Sequence, residues 1–364
     1  MSTTLPEVLY ADQMLGYVEK VKAGLPTMHL PPGLLNGAPK RVEGNTFTYI
    51  TYSGTQRVTR AGAYGAPTRG RTKVGPGALP GVTITSGEQM ELNAAAMVAL
   101  KNPENGNMQR LGESEVQRML REATTLRMNA RVAYVTSMVV LGAVYLDIEG
   151  NLLPSSSGAI TTLSAPTPTT YTKSASWQTA TTDILGDLAS FQAQSLRTTG
   201  FPIQHAIYGS RVLNSLMKNT DCRDLIIRNI AANGNVLNGA PQGMVFELGG
   251  MTWWPGQFGF FEDDTGTDRQ FQTGSAGTLD QDHIVFMPTP SSEWYDLIEG
   301  TTPVYGPSSF NTEAGGLWAG IETQQGMWQW ADRAQNTVGA VLHYGDNWFP
   351  SIKVAGAIGH CDTV

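Results

Sequence analysis

Two stretches of the 364-residue chain place side chains where they could do chemistry. The first is Glu262-Asp263-Asp264-Thr265-Gly266-Thr267-Asp268, followed by Asp280 and Asp282. Clustered carboxylates can hold a hard cation such as calcium through oxygen ligands. An EF-hand loop would need alternating Asp or Asn ligands ahead of a glycine and a closing glutamate, and this stretch lacks that register. It reads as a charged loop tip between strands. The second is Asn233 to Gly239, which has the composition of a phosphate-cradling loop. Such loops follow a strand and open a helix. This one follows a helical pattern, so it reads as a turn.

The remaining reactive residue types are scattered. His29, His205, His283, His343 and His360 have no partner at metal-ligand spacing on a helical stretch. Cys222 and Cys361 fit no CxxC or Cys/His pattern and read as two free thiols. Glycine-rich nucleotide loops, a GxSxG elbow and HExxH are all missing from the sequence. The sequence therefore predicts no catalytic residues, no metal ligands and no cofactor, and the expected protein is not an enzyme.

One charge pattern stands out. No acidic residue occurs from Gly44 to Gly87, yet Arg57, Arg60, Arg69, Arg71 and Lys73 fall there. Tyr64 is the only aromatic between Arg57 and Lys73, so the stretch lacks the stacking platform of a nucleic-acid arm. It reads better as a loop that contacts another subunit. Its complement would be the acidic stretch containing Glu262, Asp263, Asp264 and Asp268. Opposite patches on one protomer suit a head-to-tail contact.

Bulk composition agrees with an assembled protein. Charged residues are 15% of the chain, against about 25% in ordinary soluble proteins. The net charge is −7, so a bulk grip on nucleic acid is not expected. Met1–Leu15 lacks the basic start and apolar run of a secretory leader. Val132–Leu146 is too short to span a bilayer, which takes about 20 apolar residues, so no membrane role is expected.

The elements that must carry these patches can be read from periodicity and punctuation. Residues 6–23 suit a short amphipathic helix, and Leu30–Pro39 an extended arm. Thr46–Ser53 and Gly81–Thr85 read as strands of a long hairpin. A long helix is predicted over about Glu115–Leu141, with Ser114 and Gln117 as a capping box. Ala143–Leu153 reads as a hairpin, and Pro154–Ser176 as a solvated connector. Residues 182–300 form an α/β pattern. Its helices are capped by Thr182, Ser210 and Asp221, and its strands are Pro202–Tyr208, Met244–Leu248, Met251–Trp254 and Ile284–Met287. In the tail, Ile321–Trp330 should pair with Thr337–Tyr344, and Ser351–Ile358 alternates as a strand.

This order of parts resembles the major capsid proteins of tailed double-stranded-DNA phages, and within them the lambda-type major capsid protein E family. The resemblance is carried by Ser114–Tyr145, by Trp177 with Thr182–Leu188, by Gly200–Tyr208, by Leu279–Met287 and by Ser351–Ile358. It implies the α+β Hong Kong 97-type capsid fold. Residues 1–45 would be the N-terminal arm and 46–88 the E-loop. Residues 89–182 and 293–364 would form the P-domain, with a spine helix at about 115–141, and residues 183–292 the A-domain. The implied function is self-assembly of hexamers and pentamers into an icosahedral head enclosing DNA without sequence-specific binding. The implied partners are further copies, portal and scaffold proteins, and a decoration protein. The implied location is the virion, with the host cytoplasm during assembly. Some shells of this fold cross-link a loop lysine to a neighbour; Lys73 is the only lysine in the loop, and no such site is assigned. The alternative is an encapsulin-type nanocompartment shell, which shares the fold.

Overall fold

A computed structural model describes residues 14, 17–18, 30–35, 37–44, 46–51, 77–92, 95, 106–148, 152–153, 156–232, 245–256, 259–261, 268–270, 282–305, 321–333 and 340–364. Its longest element is α1, Gly106–Leu141. At about 1.5 Å per residue its 36 residues span roughly 54 Å. The helix starts nine residues before the predicted Glu115, so Ser114 lies inside it. No proline falls between Pro103 and Ser114 to stop it, and Gly112 is buried, where packing offsets the weak helix propensity of glycine. Ion pairs form on its exposed face: Arg118 meets Glu115 at 2.8 Å and Glu122 at 3.2 Å. Gly142, at φ +70°, ends the helix.

One face of α1 is apolar and packs from Val116 to Val140. Val116, Met119, Leu120 and Met128 meet Leu92, Met327, Ala331 and Leu342, together with Met14 and Val18 from the N-terminal segment. Further along, Tyr134, Val135, Met138 and Val139 meet Ile84, Leu297, Trp348 and Ile352. The partner layer is a five-stranded sheet built on β19 (Ala340–Ile352). The first half of β19 pairs antiparallel with β18 (Trp328–Arg333) on one side and with β4 (Ile84–Leu92) on the other. Its second half pairs with β15 (Tyr295–Glu299), whose far edge takes β1 (Lys40–Arg41) in parallel. Tyr295 donates its hydroxyl hydrogen to the Leu34 carbonyl at 2.7 Å, which fixes the segment around Leu34 to this sheet.

Two hairpins leave the same sheet. β2 (Thr46–Thr51), a strand as the alternating pattern predicts, pairs antiparallel with β3 (Gly77–Val82). The second strand expected at Gly81–Thr85 is split, because Ile84 and Thr85 already belong to β4 and pair with β19. β16 (Thr301–Tyr305) pairs with β17 (Ile321–Gln325). The predicted partnership of Ile321–Trp330 with Thr337–Tyr344 therefore holds only for β18. β17 turns away to β16 because Gly326, at φ +65°, breaks the strand between them.

After α1, β5 (Ala143–Leu146) pairs with β6 (Leu152–Leu153), the expected hairpin. Its other edge takes β7 (Thr161–Ser164). That strand, and β8 (Thr169–Thr170), come from the stretch read as solvated connector. Its threonines suit an edge strand whose outer face is wet.

The second unit is a six-stranded sheet in the order β10-β11-β9-β14-β20-β8. These are Phe246–Leu248, Met251–Pro255, His205–Tyr208, His283–Met287, Gly359–Asp362 and Thr169–Thr170. Helices α2 (Ile184–Thr199), α3 (Val212–Lys218) and α4 (Thr220–Ala232) supply apolar side chains to a core shared with Ala206, Tyr208, Trp253, Ile284 and Phe286. The alternate residues Ile207, Val285 and Met287 join the α1 core instead. Period-two alternation thus lets one sheet bond two cores. The remaining described strands are β12 (Gly259–Phe261) and β13 (Asp268–Gln270), which pair antiparallel.

The helix caps differ from the sequence expectation. Asp183, not Thr182, caps α2, accepting from the Gly186 amide at 2.9 Å. Thr182 instead donates its hydroxyl hydrogen to the Ser176 carbonyl at 2.7 Å. α3 has no side-chain cap, and Asn219 takes the role expected of Asp221 by accepting from the Cys222 amide at 3.2 Å. Ser351–Ile358 is not one strand. β19 ends at Ile352, and Gly356 turns the chain at φ +77° before β20. A side chain at 356 would meet Thr169 Oγ1 at 2.6 Å. Its apolar residues alternate because Ile352, Val354 and Ile358 all point into the α1 core.

A histidine adds a polar link between the second sheet and α1. His360 on β20 lies edge-on to His283 on β14, with ring centroids 5.2 Å apart, and its ring bonds the Val139 backbone of α1. Burial first, and the neighbouring His283 second, push the His360 value down to about 4. Between that value and the ordinary value of about 6.5, the unfolded chain binds the proton and the fold does not. Stability from this group is complete above about pH 6.5 and is lost as pH falls toward 4. H360N keeps a donor for the Val139 carbonyl but cannot titrate. In chemical denaturation between pH 7 and pH 4, the native chain should lose on the order of 2 kcal/mol more than H360N. Equal acid losses would clear His360 of that role.

Candidate subunit-contact elements and the charged junction beneath them

The stripe of α1 that faces the sheet is interrupted by two arginines. Leu120, Thr124, Arg127, Arg131, Val135 and Met138 follow each other at three- and four-residue steps, so Arg127 and Arg131 must point inward with their apolar neighbours. Arg131 is 1% exposed. It donates through Nε to Asp346 Oδ2 at 2.6 Å and through Nη2 to Asp346 Oδ1 at 2.7 Å. The same Nη2 reaches Glu299 Oε1 at 3.0 Å. Its guanidinium lies 5.1 Å from the Trp348 ring centroid. Burial alone would lower the Arg131 value, but Asp346 and Glu299 outweigh it and hold the group above its ordinary range.

Arg127, one turn earlier, has no carboxylate of its own. It donates through Nη1 to the carbonyls of Trp328 and Gly345, both at 3.2 Å, and to Gln329 Oε1 at 3.3 Å. Burial pulls its value down to about 10, partly offset by Asp346. It stays charged at neutral pH. Two cations and two carboxylates, Asp346 and Glu299, thus meet between helix and sheet.

This charged cluster marks a junction of strands. β15 and β18 meet end to end along one edge of β19, at Asn347. The Gly300 amide donates to the Asn347 carbonyl at 2.9 Å, the Gly326 amide to the Gly300 carbonyl at 3.1 Å, and the Asn347 amide to the Gly326 carbonyl at 3.0 Å. The approach is too close for side chains. A Cβ at Gly326 would lie 2.5 Å from the Glu299 carboxyl carbon, and one at Gly300 would lie 2.7 Å from Asn347 Nδ2. Both hairpins start here. β16 follows Gly300 directly, and the Gly44 amide, just ahead of β2, donates to Thr301 Oγ1 at 2.7 Å. Phe47 at the base of β2 packs on Phe349, with ring centroids 5.7 Å apart.

The contact residues expected from charge patterning are placed only in small part. Arg57, Arg60, Arg69, Arg71, Lys73, Glu262, Asp263 and Asp264 lie outside the described residues. Asp268 is on β13, opposite Phe261. Asp282, counted with the acidic stretch, is 6% exposed and pairs with Arg211 at 3.5 Å, so it belongs to the fold and not to a loop tip. Cys222 and Cys361 are buried and unbonded, and burial pushes both thiols up to about 12. Among the described residues, no group of His, Cys, Asp and Glu could hold a metal ion, and no helix is long and apolar enough to cross a membrane.

The geometry is that of a scaffold with projecting hairpins, and solved structures share it. A protein assigned to the capsid of an E. coli CFT073 prophage matches with 13% identity and a TM-score of 0.53, over 98% of this chain and 99% of its own. A phage-related protein from Bordetella bronchiseptica RB50 matches with 11% identity and a TM-score of 0.50, over 96% of both chains. The fold is the Hong Kong 97-type capsid fold, mixed α+β. The family model for phage major capsid protein E matches residues 43–299, and the chain belongs to that family. It is a major capsid protein: copies assemble into the shell of the phage head, and its place is the virion capsid. The family match does not favour the nanocompartment alternative. No curated protein matches the sequence.

The junction yields a stability prediction. Removing one partner of a buried ion pair leaves the other charge uncompensated, which costs about 3–5 kcal/mol. D346A should lower the unfolding free energy of the subunit by that amount in urea titration, well beyond the effect of E115A at the exposed Arg118 pair.

Proposed function

We propose that the β2–β3 hairpin is an E-loop that lies on the neighbouring subunit and sets the lateral contact of the shell. The observation that carries this reading is the pairing of β2 and β3 with each other alone among the described strands, in a stretch with no acidic residue from Gly44 to Gly87. A lone two-stranded hairpin is at best marginally stable in water. Its support comes from a second copy. Arg57, Arg60, Arg69, Arg71 and Lys73 then face the acidic stretch of Glu262, Asp263, Asp264 and Asp268 on that copy.

In this reading residues 1–45 are the N-terminal arm and 46–88 the E-loop. Residues 89–182 with 293–364 are the P-domain, and 183–292 the A-domain. The copies group as hexamers and pentamers in an icosahedral head around double-stranded DNA, which the acidic chain encloses without gripping. Portal and scaffold proteins, and a decoration protein, are its partners during and after assembly in the host cytoplasm. The subunit works by assembly and catalyses nothing.

Charge reversal tests the contact. R69E/R71E should reduce the yield of closed shells at least fivefold in sedimentation and negative-stain images, and adding D263K/D264K should restore part of it. Normal shells from R69E/R71E would sink the reading.

A further inference from the structure

The junction at Asn347 ties together the roots of both hairpins. Asn347 is fully buried. Its Nδ2 donates to the Thr301 carbonyl at 3.3 Å and to Thr302 Oγ1 at 3.2 Å, both on the first turn-out of β16. Its Oδ1 accepts from Thr85 Oγ1, on β4 just after the β2–β3 hairpin closes, at 3.5 Å. The ring is completed at the other leg of that hairpin, where Gly44 donates to Thr301 Oγ1. One side chain amide therefore bridges residues that flank 46–82 and residues that open 301–325. Gly300 makes this possible, since a Cβ there would meet Asn347 Nδ2 and the Gly44 carbonyl oxygen, each at 2.7 Å.

Thr301 adds a second tie between the two roots through its hydroxyl, which the Gly44 amide reaches at 2.7 Å. Asp346 is committed to Arg131, and its Oδ1 also takes the Asn347 amide at 2.9 Å. The buried ion pair of α1 thus fixes the backbone of Asn347, and Asn347 fixes the hairpin roots. A hairpin several residues long magnifies a small change at its root into a large displacement at its tip, since each residue extends about 3.3 Å.

We infer that Asn347 is a positioning residue for assembly: it couples the directions in which the β2–β3 and β16–β17 hairpins leave the subunit, so that both meet neighbouring copies together. This rests on the reading of β2–β3 as a contact with a second copy.

N347A tests it in the full chain. Hydrogen exchange on the unassembled subunit should show a loss of protection of at least tenfold in 46–51, 77–82 and 301–305 together. Protection across 113–141 should change less than threefold. Closed shells should fall at least fivefold, with open or irregular sheets in their place. G300A should reproduce both effects by pushing Asn347 and Gly44 apart, and T302V, which removes a single bond, should give a weaker version. Should N347A fail to fold, T302V and G300A decide the matter on the same readouts. Protected roots in these variants, or loosened roots with normal shells, would overturn the inference. The reading of the E-loop as a contact fails separately, through normal shells from R69E/R71E, which leave the roots untouched.

Discussion

Arg131 is buried between α1 and the β19 sheet, 1% exposed, with its guanidinium forked onto Asp346 and reaching Glu299. A charge in that position is costly unless it is paired and hydrogen-bonded. The requirement propagates outward. Asp346 must sit on β19 at the level of the helix turn carrying Arg131, and Glu299 must end β15 beside it. The register between helix and sheet is thereby set by charge, where an apolar interface would tolerate a slip of one turn. Arg127 adds a second fix one turn away, through carbonyls of β18 and β19.

The β2–β3 and β16–β17 hairpins start from this point. β15 and β18 abut at Asn347, the glycines at 300 and 326 let the chains approach, and the two hairpins depart from the same few residues. The second unit is held differently. Its sheet alternates side chains between the α1 core and a separate core of α2, α3 and α4.

Much of the architecture was legible in the residues. The apolar spacing of α1, the alternation of β2, and the positions of β9, β11 and β14 emerge from periodicity alone. The caps were less so, because Thr182 and Asp183, or Asn219 and Asp221, are equally good formers and only the local geometry chooses. The chemistry of the candidate contact was visible as charge patterning, while the junction was missed. Its signal was available, since Arg127 and Arg131 occupy interior steps of an otherwise apolar stripe. The Arg131 partners Asp346 and Glu299 lie 215 and 168 residues away, and the Arg127 carbonyl partners Trp328 and Gly345 lie 201 and 218 away, separations that no local pattern connects.

The sequence by itself determined that a long helix precedes a mixed α/β unit and that the stretch from Gly44 to Gly87 carries no acidic residue. These are properties of residue type and spacing, which act over a few residues. Tertiary structure alone decided which carboxylates neutralise the buried arginines, where β15 and β18 meet, and that Asn347 joins two hairpin roots. Those choices depend on burial, where a charge or an amide must find its partner in space, however distant that partner is along the chain.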